Sequence, residues 1–300
     1  MQPLRTRLKQ RGVLLADGAM GTMLFQRGLL PGDCPEKINL ERPEILEEIA
    51  GLYLRAGAEI IQTNTFGGSP LKLEPYGLDR RAEEINARAL HAVRNVVRDR
   101  VYVSGSCGPS GKILEPYGDT NPERLFESFM TQMHALITGG VDMICIETMT
   151  DLAEATLAIK AARSVSSDIP ICATMTFDST PRGFYTVMGT NIEQAVKGLT
   201  EAGADIIGSN CGNGIQNMIA IAGQFKRIST LPIIIQSNAG IPTVRNGILT
   251  YPESPEYMAE QSSELLKLGV SIIGGCCGTT PDHIAAMKNV VELFKKNHSI

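Results

Sequence analysis

Tryptophan is absent from this chain of 300 residues, and histidine occurs four times. The first absence excludes little. The second leaves few imidazoles for metal binding: His91, His134, His283 and His298 fall in predicted helices or in the tail, and none is placed as a ligand. Basic excess is also missing, since 28 Lys and Arg face 32 Asp and Glu for a net charge of −4. With no basic stripe, nucleic acid is not an expected partner. No apolar run reaches the roughly 18 residues of a membrane span. The N-terminus lacks the apolar segment of a secretion signal. Seven cysteines form an odd set without the close spacing of a small secreted scaffold. A soluble, cytoplasmic, reducing setting follows as the expectation. Nothing resembling a linker divides the sequence, so residues 1–300 are expected to form one domain.

Apolar residues make up 43% of the chain and charged residues 20%, enough for a full core. Those residues are arranged in a repeat: the end of an amphipathic helix, a glycine, then a short β-branched run. It occurs at Ala56-Gly57-Ala58-Glu59-Ile60-Ile61, Gly139-Gly140-Val141-Asp142-Met143-Ile144, Ala202-Gly203-Ala204-Asp205-Ile206-Ile207 and Leu268-Gly269-Val270-Ser271-Ile272-Ile273. Each glycine suits the left-handed residue that ends a helix. Apolar runs at 13–15, 101–103, 171–173 and 233–235 interleave and bring the strand count to eight. Helical stretches are predicted at 43–56, 81–98, 122–138, 151–166, 191–202, 215–229, 254–268 and 281–296. Strand–helix alternation of this length predicts a (β/α)₈ TIM barrel. An open doubly wound sheet is disfavoured, because the first turn lacks a G-x-G-x-x-G fingerprint.

In such barrels the active site lies on loops that follow the strands. The unusual polar clusters fall there: Asp17-Gly18-Ala19-Met20-Gly21-Thr22, Gln62-Thr63-Asn64-Thr65-Phe66-Gly67-Gly68, Gly105-Ser106-Cys107, Glu147-Thr148, Ser209-Asn210-Cys211, Ser237-Asn238-Ala239-Gly240 and Gly274-Gly275-Cys276-Cys277-Gly278. Adjacent residues of a strand point to opposite faces, so Cys276 and Cys277 can share a target only where the strand has ended and the chain turns. The flanking glycines permit that turn. Cys211 ends the strand two places round the ring.

Three thiolates with a fourth position open would suit catalytic zinc, and soft ligands favour zinc over harder cations. A vicinal disulfide is the alternative for the adjacent pair, but it gives Cys211 no role. Cys145 and Cys172 read as strand-interior packing and Cys107 as structural, while Cys34 carries no assignment. A zinc ion held by three thiolates is a weak electrophile, better suited to binding a substrate thiol than to activating water.

Asp17 and Glu147, at the ends of strands 1 and 4, would suit an α-ammonium group, although Asp17 can also simply orient its turn. The amides of Ala19, Met20, Gly21 and Thr22 would suit an α-carboxylate. A thiol with an amino-acid head is thus a coherent substrate. Asn64, Asn210 and Asn238 are candidates either for turn closure or for contacts to thiolates and substrate.

Taken together, the Asp17–Thr22, Gln62–Gly67, Ile146–Thr148, Asn210–Cys211, Ser237–Gly240 and Gly274–Pro281 motifs resemble the homocysteine S-methyltransferase family over residues 12–296. Within it the chain is most similar to the homocysteine-binding module of cobalamin-dependent methionine synthase, because Gly278 follows the cysteine pair where stand-alone relatives tend to carry arginine. The resemblance implies zinc on Cys211, Cys276 and Cys277, Asp17 and Glu147 on the homocysteine amino group, and Met20, Gly21 and Thr22 near its carboxylate. It also implies methyl transfer to homocysteine, giving methionine. Because the synthase continues into further modules, the expected donor is a methylcorrinoid on a separate corrinoid protein. S-methylmethionine is the alternative donor, betaine is less favoured, and a non-catalytic zinc scaffold is a distant reading. The Gly212-Asn213-Gly214 continuation differs from the Ser/Thr- and Pro-containing one associated with the synthase, which bears on contacts around Cys211 and on donor choice.

Overall fold

The computed structural model describes residues 1–10, 12–245 and 248–297, with the side chains of 245, 248 and 249 outside that description. His298 also lies outside the described residues. Eight parallel strands follow one another round a ring: β1 (Leu14–Leu15), β2 (Ile60–Gln62), β3 (Tyr102–Cys107), β4 (Met143–Met149), β5 (Ile171–Met175), β6 (Ile206–Asn210), β7 (Ile233–Ser237) and β8 (Ile272–Gly275). Their order is β1-β8-β7-β6-β5-β4-β3-β2. The last seam is joined by a bridge from Ala16 to Ile60 and by Glu59 N–H donating to Leu15 O at 2.7 Å. The architecture is the expected (β/α)₈ barrel.

Between strands run the helices Pro43–Arg55, Ala82–Val97, Pro122–Gly139, Leu152–Val165, Ile192–Ala202, Ile215–Ile228, Pro255–Lys267 and Pro281–Asn297. Their limits lie close to those predicted because the stop and start signals are local. Gly57, Gly140, Gly203 and Gly269 all have φ between +74° and +103°, the left-handed region in which glycine ends a helix without a Cβ clash. At the opposite ends, Asn121, Asp151, Asn191 and Ser254 accept first-turn N–H groups. Asp151 caps its helix by accepting from Ala153 N at 2.8 Å. Glu147 therefore has no capping duty.

Strand periodicity of two sorts the side chains into an outer and an inner set. Leu15, Ile61, Val103, Ile144, Ile207, Ile235 and Ile273 pack outward against the helices. Leu14, Ile60, Tyr102, Met143, Cys145, Cys172, Ile206, Ile234 and Ile272 fill the barrel's lower interior, and Leu4 of the N-terminal helix Leu4–Lys9 packs against them. Cys145 and Cys172 are thus core residues, as read from their apolar runs. Moving up each strand in steps of two leaves the apolar layer: Cys145 leads to Glu147, Ile206 to Asn210 and Ile272 to Cys276. An apolar floor and a polar top are consequences of one alternating pattern.

Two antiparallel hairpins, Asp178–Thr180 with Gly183–Tyr185 and Thr243–Arg245 with Ile248–Thr250, extend the loops after β5 and β7. Neither carries a clear sequence signal, since their strands are only three residues long and mix polar with apolar residues.

Candidate active site

A cavity of about 620 Å³ opens at the C-terminal rim of the barrel, within the size range of small-molecule sites. Gly18 to Thr22, Asn64, Phe66, Ser106, Glu147, Cys211, Tyr251, Cys276 and Cys277 are among its walls.

The three cysteines meet at one place in it. The Sγ atoms of Cys211, Cys276 and Cys277 lie within 4.8 Å of one another, and Cys211 and Cys277 are 3.8 Å apart. Among the described residues they are the one cluster of His, Cys, Asp or Glu side chains spaced to hold a metal ion. Local backbone explains how. Strand β8 ends at Gly275, so Cys276 and Cys277 sit in the turn that follows. Cys276 N–H donates to Ser237 O at 2.7 Å, and Cys277 O accepts from Ala239 N at 2.9 Å, which ties both residues to the end of β7. Cys211 follows the last residue of β6 with φ of +60°, and its N–H donates to Gln236 O at 3.1 Å. A non-glycine residue in that region is strained by roughly 1–2 kcal/mol. Thr148, next to Glu147, has the same φ of +60° at a register shift in β4. Two of the three described non-glycine residues with positive φ thus lie in or beside the site, the third being Arg98.

One thiol of the trio stands apart. The Cys211 thiol is pushed below its ordinary range, first by the Cys276 thiol and then by the Cys277 thiol, both of which donate to it. Cys276 and Cys277 rise correspondingly as donors to that thiolate. Binding a metal through all three sulfurs would require the remaining thiol protons to be released.

Glu147 is buried and faces the cavity. Its Oε1 accepts a short bond from Ser106 Oγ, and its Oε2 accepts from Asn210 Nδ2 at 3.3 Å. Asn210 also reaches Cys276 Sγ at 3.8 Å, while its Oδ1 accepts from Thr148 N and Thr174 Oγ1 at 2.8 and 2.7 Å. Asn210 thus joins the carboxylate to the thiol cluster from behind. Burial pushes the Glu147 carboxyl up to about 7, against the opposing Ser106 bond.

Asp17 is placed differently from Glu147. It is 1% exposed and does not line the cavity. One oxygen accepts from Gln62 N at 2.8 Å, and the other, Oδ1, is buried without a partner. Burial raises its carboxyl to about 8; the Gln62 bond opposes this and the Glu147 charge adds to it.

Met20, Gly21 and Thr22 open the short helix Met20–Phe25, whose cap residue Ala19 offers no side-chain acceptor. The first backbone bond of that turn is Met23 N to Ala19 O at 3.4 Å, so the three earlier amides precede it. Thr22 has a second tie: its Oγ1 accepts from Gly278 N at 3.0 Å. The Asn64 side chain donates to Pro35 O and Asn39 Oδ1, both at 2.8 Å, and so fastens its own loop. Asn238 Oδ1 is buried without a hydrogen-bond partner of its own, and the side chain lies close enough to Cys211 to help lower it.

Tyr251, Ser106 and Glu36 join the cavity without standing out as site residues in the sequence. Ser106 alone carries a cue there, lying in the polar cluster after β3. Glu36 is buried in the cavity wall, where its Oε1 accepts from Gly67 N at 2.6 Å and its Oε2 from Cys34 Sγ at 3.5 Å. Cys34 is accordingly buried against Glu36.

Both raised carboxyls have a consequence for stability. Asp17 rises from 3.8 to about 8, and Glu147 from 4.5 to about 7. Across that window the folded, metal-free protein binds more protons than the unfolded chain, so its stability falls as pH rises. Asp17→Asn is expected to raise the melting temperature of metal-free protein by a few degrees at pH 8 and by less at pH 5. Thermal melts at the two pH values check this, and an equal shift at both would exclude ionisation as the cause.

A (β/α)₈ barrel that brings three thiols and a buried carboxylate onto one rim cavity belongs to the class suited to soft-metal and thiol chemistry. Residues 14–291 match the family described as homocysteine S-methyltransferase, and the chain belongs to that family. It is 31% identical to methionine synthase of Mycobacterium leprae over 294 residues, covering 92% of this chain and 24% of that protein. It is likewise 31% identical to methionine synthase of Mycobacterium tuberculosis over 306 residues, covering 96% of this chain and 25% of that protein. The chain thus spans about a quarter of the length of these relatives. Among solved structures, the metallated form of the homocysteine methyltransferase MmuM from Escherichia coli matches with a TM-score of 0.79 at 24% identity, over 96% of this chain and 99% of that one. Its apo form matches with a TM-score of 0.75, over 96% and 100% respectively. At this identity the likeness speaks for the fold.

Proposed function

We propose that this barrel transfers a methyl group from a methylcorrinoid to the thiol of homocysteine, giving methionine, with zinc held by Cys211, Cys276 and Cys277. The convergence of three thiols beside the buried Glu147 carboxylate carries the reading. The donor set fits zinc: all three ligand atoms are soft sulfurs. The 3.8 Å between Cys211 and Cys277 is close to the edge of a tetrahedron with Zn–S bonds of about 2.3 Å. The Asn238 side chain lies beside Cys211 and favours its thiolate form. Bound zinc would supply a soft Lewis acid that lets a substrate thiol shed its proton near neutral pH.

The protein's own residues would hold the remainder of homocysteine. Glu147 would accept the α-ammonium, with Ser106 and Asn210 fixing the carboxylate. Asp17, whose carboxyl burial raises to about 8, would sit behind the wall and add negative field only on ionising. The amides of Met20, Gly21 and Thr22 would receive the α-carboxylate. With both ends held, the sulfur is oriented for in-line attack, and orientation lowers the barrier. The sulfur electron pair forms the new S–C bond, the thiol proton goes to solvent, and the carbon–cobalt pair leaves with cobalt, taking Co(III) to Co(I). The methylcorrinoid would be presented at the open rim by a separate corrinoid protein. Similarity to the two methionine synthases and Gly278 beside the cysteine pair support this donor.

Zinc-loaded protein mixed anaerobically with methylcobalamin tests the assignment. The expected result is loss of the methyl–cobalt absorbance that depends on homocysteine. Absence of that loss, with metal and homocysteine both bound, would overturn transfer from free methylcobalamin and redirect the search to sulfonium, betaine-type or partner-restricted donors. Methionine formed from free S-methylmethionine without corrinoid would point to a sulfonium donor instead.

A further inference from the structure

Three loops supply the walls around the thiols, and one short segment touches each of them. Tyr251-Pro252-Glu253 follows the β7 hairpin and precedes helix Pro255–Lys267. Its contacts run in three directions.

Toward β6, the Glu253 carboxylate reaches the start of helix Ile215–Ile228. The cap residue there is Gly214, which has no side chain to satisfy the first amides. Glu253 Oε2 instead accepts from Ile215 N at 3.1 Å. A Cβ on Gly214 would stand 2.1 Å from Glu253 Oε1, so the glycine is the seat of that carboxylate. The helix that begins four residues after Cys211 is therefore capped from another loop. Asn213 O accepts from Asn238 N at 3.0 Å, so this same turn is also tied to the end of β7. The Gly212-Asn213-Gly214 sequence, which departs from the synthase pattern, thereby has a structural role.

Toward β8, the Glu253 carbonyl accepts from His283 Nε2 at 3.1 Å. His283 Nδ1 faces Thr280 N at 3.2 Å and Thr280 Oγ1 at 3.0 Å. Because Nδ1 faces an N–H it must accept, which leaves Nε2–H to donate to Glu253. The imidazole is a strut between Glu253 and the turn carrying Cys276 and Cys277. Toward β7, Glu253 N donates to Ala239 O at 3.0 Å. Tyr251 completes the segment. Its ring lies where a Cβ on Gly278 would stand, only 2.1 Å from the ring Cγ, which seats it directly beside the Cys276–Cys277 turn.

We infer that Tyr251, Glu253 and His283 form a clasp that holds the Cys211 loop against the Cys276–Cys277 turn and so sets the sulfur spacing before metal arrives. Glu253 and His283 are positioning residues that act through backbone, and Tyr251 is one that packs its ring against Gly278 beside the cysteine pair. The inference rests on the three thiols being the metal site. Supporting groups of this kind are typically worth about 10–100-fold in metal affinity.

Chelator competition for zinc, together with the thiolate-to-cobalt charge-transfer band of cobalt-loaded protein, tests it. Glu253→Ala is expected to weaken metal binding about 10-fold or more and to broaden the band, with Glu253→Gln largely restoring both. Tyr251→Ala removes the ring seated on Gly278 and is expected to weaken metal binding and broaden the band in the same way. A folded Glu253→Ala variant with wild-type affinity and band would overturn the clasp. If that variant does not fold, wild-type affinity and an unchanged band in Tyr251→Ala overturn it instead. Failure of the wild-type protein itself to bind zinc or cobalt would be a separate result, striking the metal site rather than the clasp.

Discussion

Cys276→Ser is expected to release the metal and abolish methyl transfer, and Cys211→Ser to do the same. A serine hydroxyl is nearly isosteric with the thiol but does not ionise near neutral pH, so it replaces an anionic soft ligand with a neutral hard one. Thiol-rich zinc sites bind with roughly 10–16 kcal/mol in all. Losing one of three protein ligands should therefore cost several kcal/mol, or about a thousandfold or more in affinity. Zinc per chain after dialysis against a chelator, read by elemental analysis, gives the answer directly. Cys145→Ser supplies the contrast: that thiol lies in the lower barrel layer, so the variant should keep its metal and lose only stability. Full zinc occupancy with normal turnover in Cys276→Ser would rule out the three-thiol site.

The second large effect is expected from Glu147→Gln. The amide keeps the volume of the carboxylate and one acceptor for Ser106, yet removes the negative charge that faces the cavity. A charge-assisted hydrogen bond contributes about 1.5–3 kcal/mol. Homocysteine binding by calorimetry should thus weaken about 10- to 100-fold, with the zinc content unchanged. The pH dependence has a definite sign. Burial holds the Glu147 carboxyl up to about 7, so in wild-type protein ammonium binding should strengthen as pH rises through that value. Glu147→Gln should flatten that rise, because the amide has no proton to lose there. An unchanged homocysteine affinity would remove Glu147 from this role.

Much of the barrel is legible in the sequence because its signals are local. A glycine followed by a β-branched run states where a helix stops and a strand begins, and position along the strand, inside the apolar run or past its end, then separates the packing thiols of Cys145 and Cys172 from the rim trio. Cys276 and Cys277 are legible for the same reason: their glycine neighbours declare a turn rather than a strand. What escapes the sequence depends on contacts between distant residues. Nothing near Glu253 reveals that Gly214, 39 positions earlier, lacks a cap and will take its carboxylate. His283 reads as an ordinary helical residue until its ring is seen between Thr280 and Glu253. Asn64 stands in the most suggestive of the rim motifs, yet its amide fastens Pro35 and Asn39. Asp17 shares its side of the barrel with Glu147 but stays behind the wall, because β2 claims one of its oxygens.

The left-handed backbone at Cys211 sets its chemistry against its conformation. Glycine would relax φ of +60° at that position, and asparagine would tolerate it better than cysteine does. In a lineage freed from methyl transfer, mutational drift at position 211 would therefore run downhill toward glycine or asparagine. A barrel of this fold with either residue there would bear the mark of a retired site, legible from one codon before any assay.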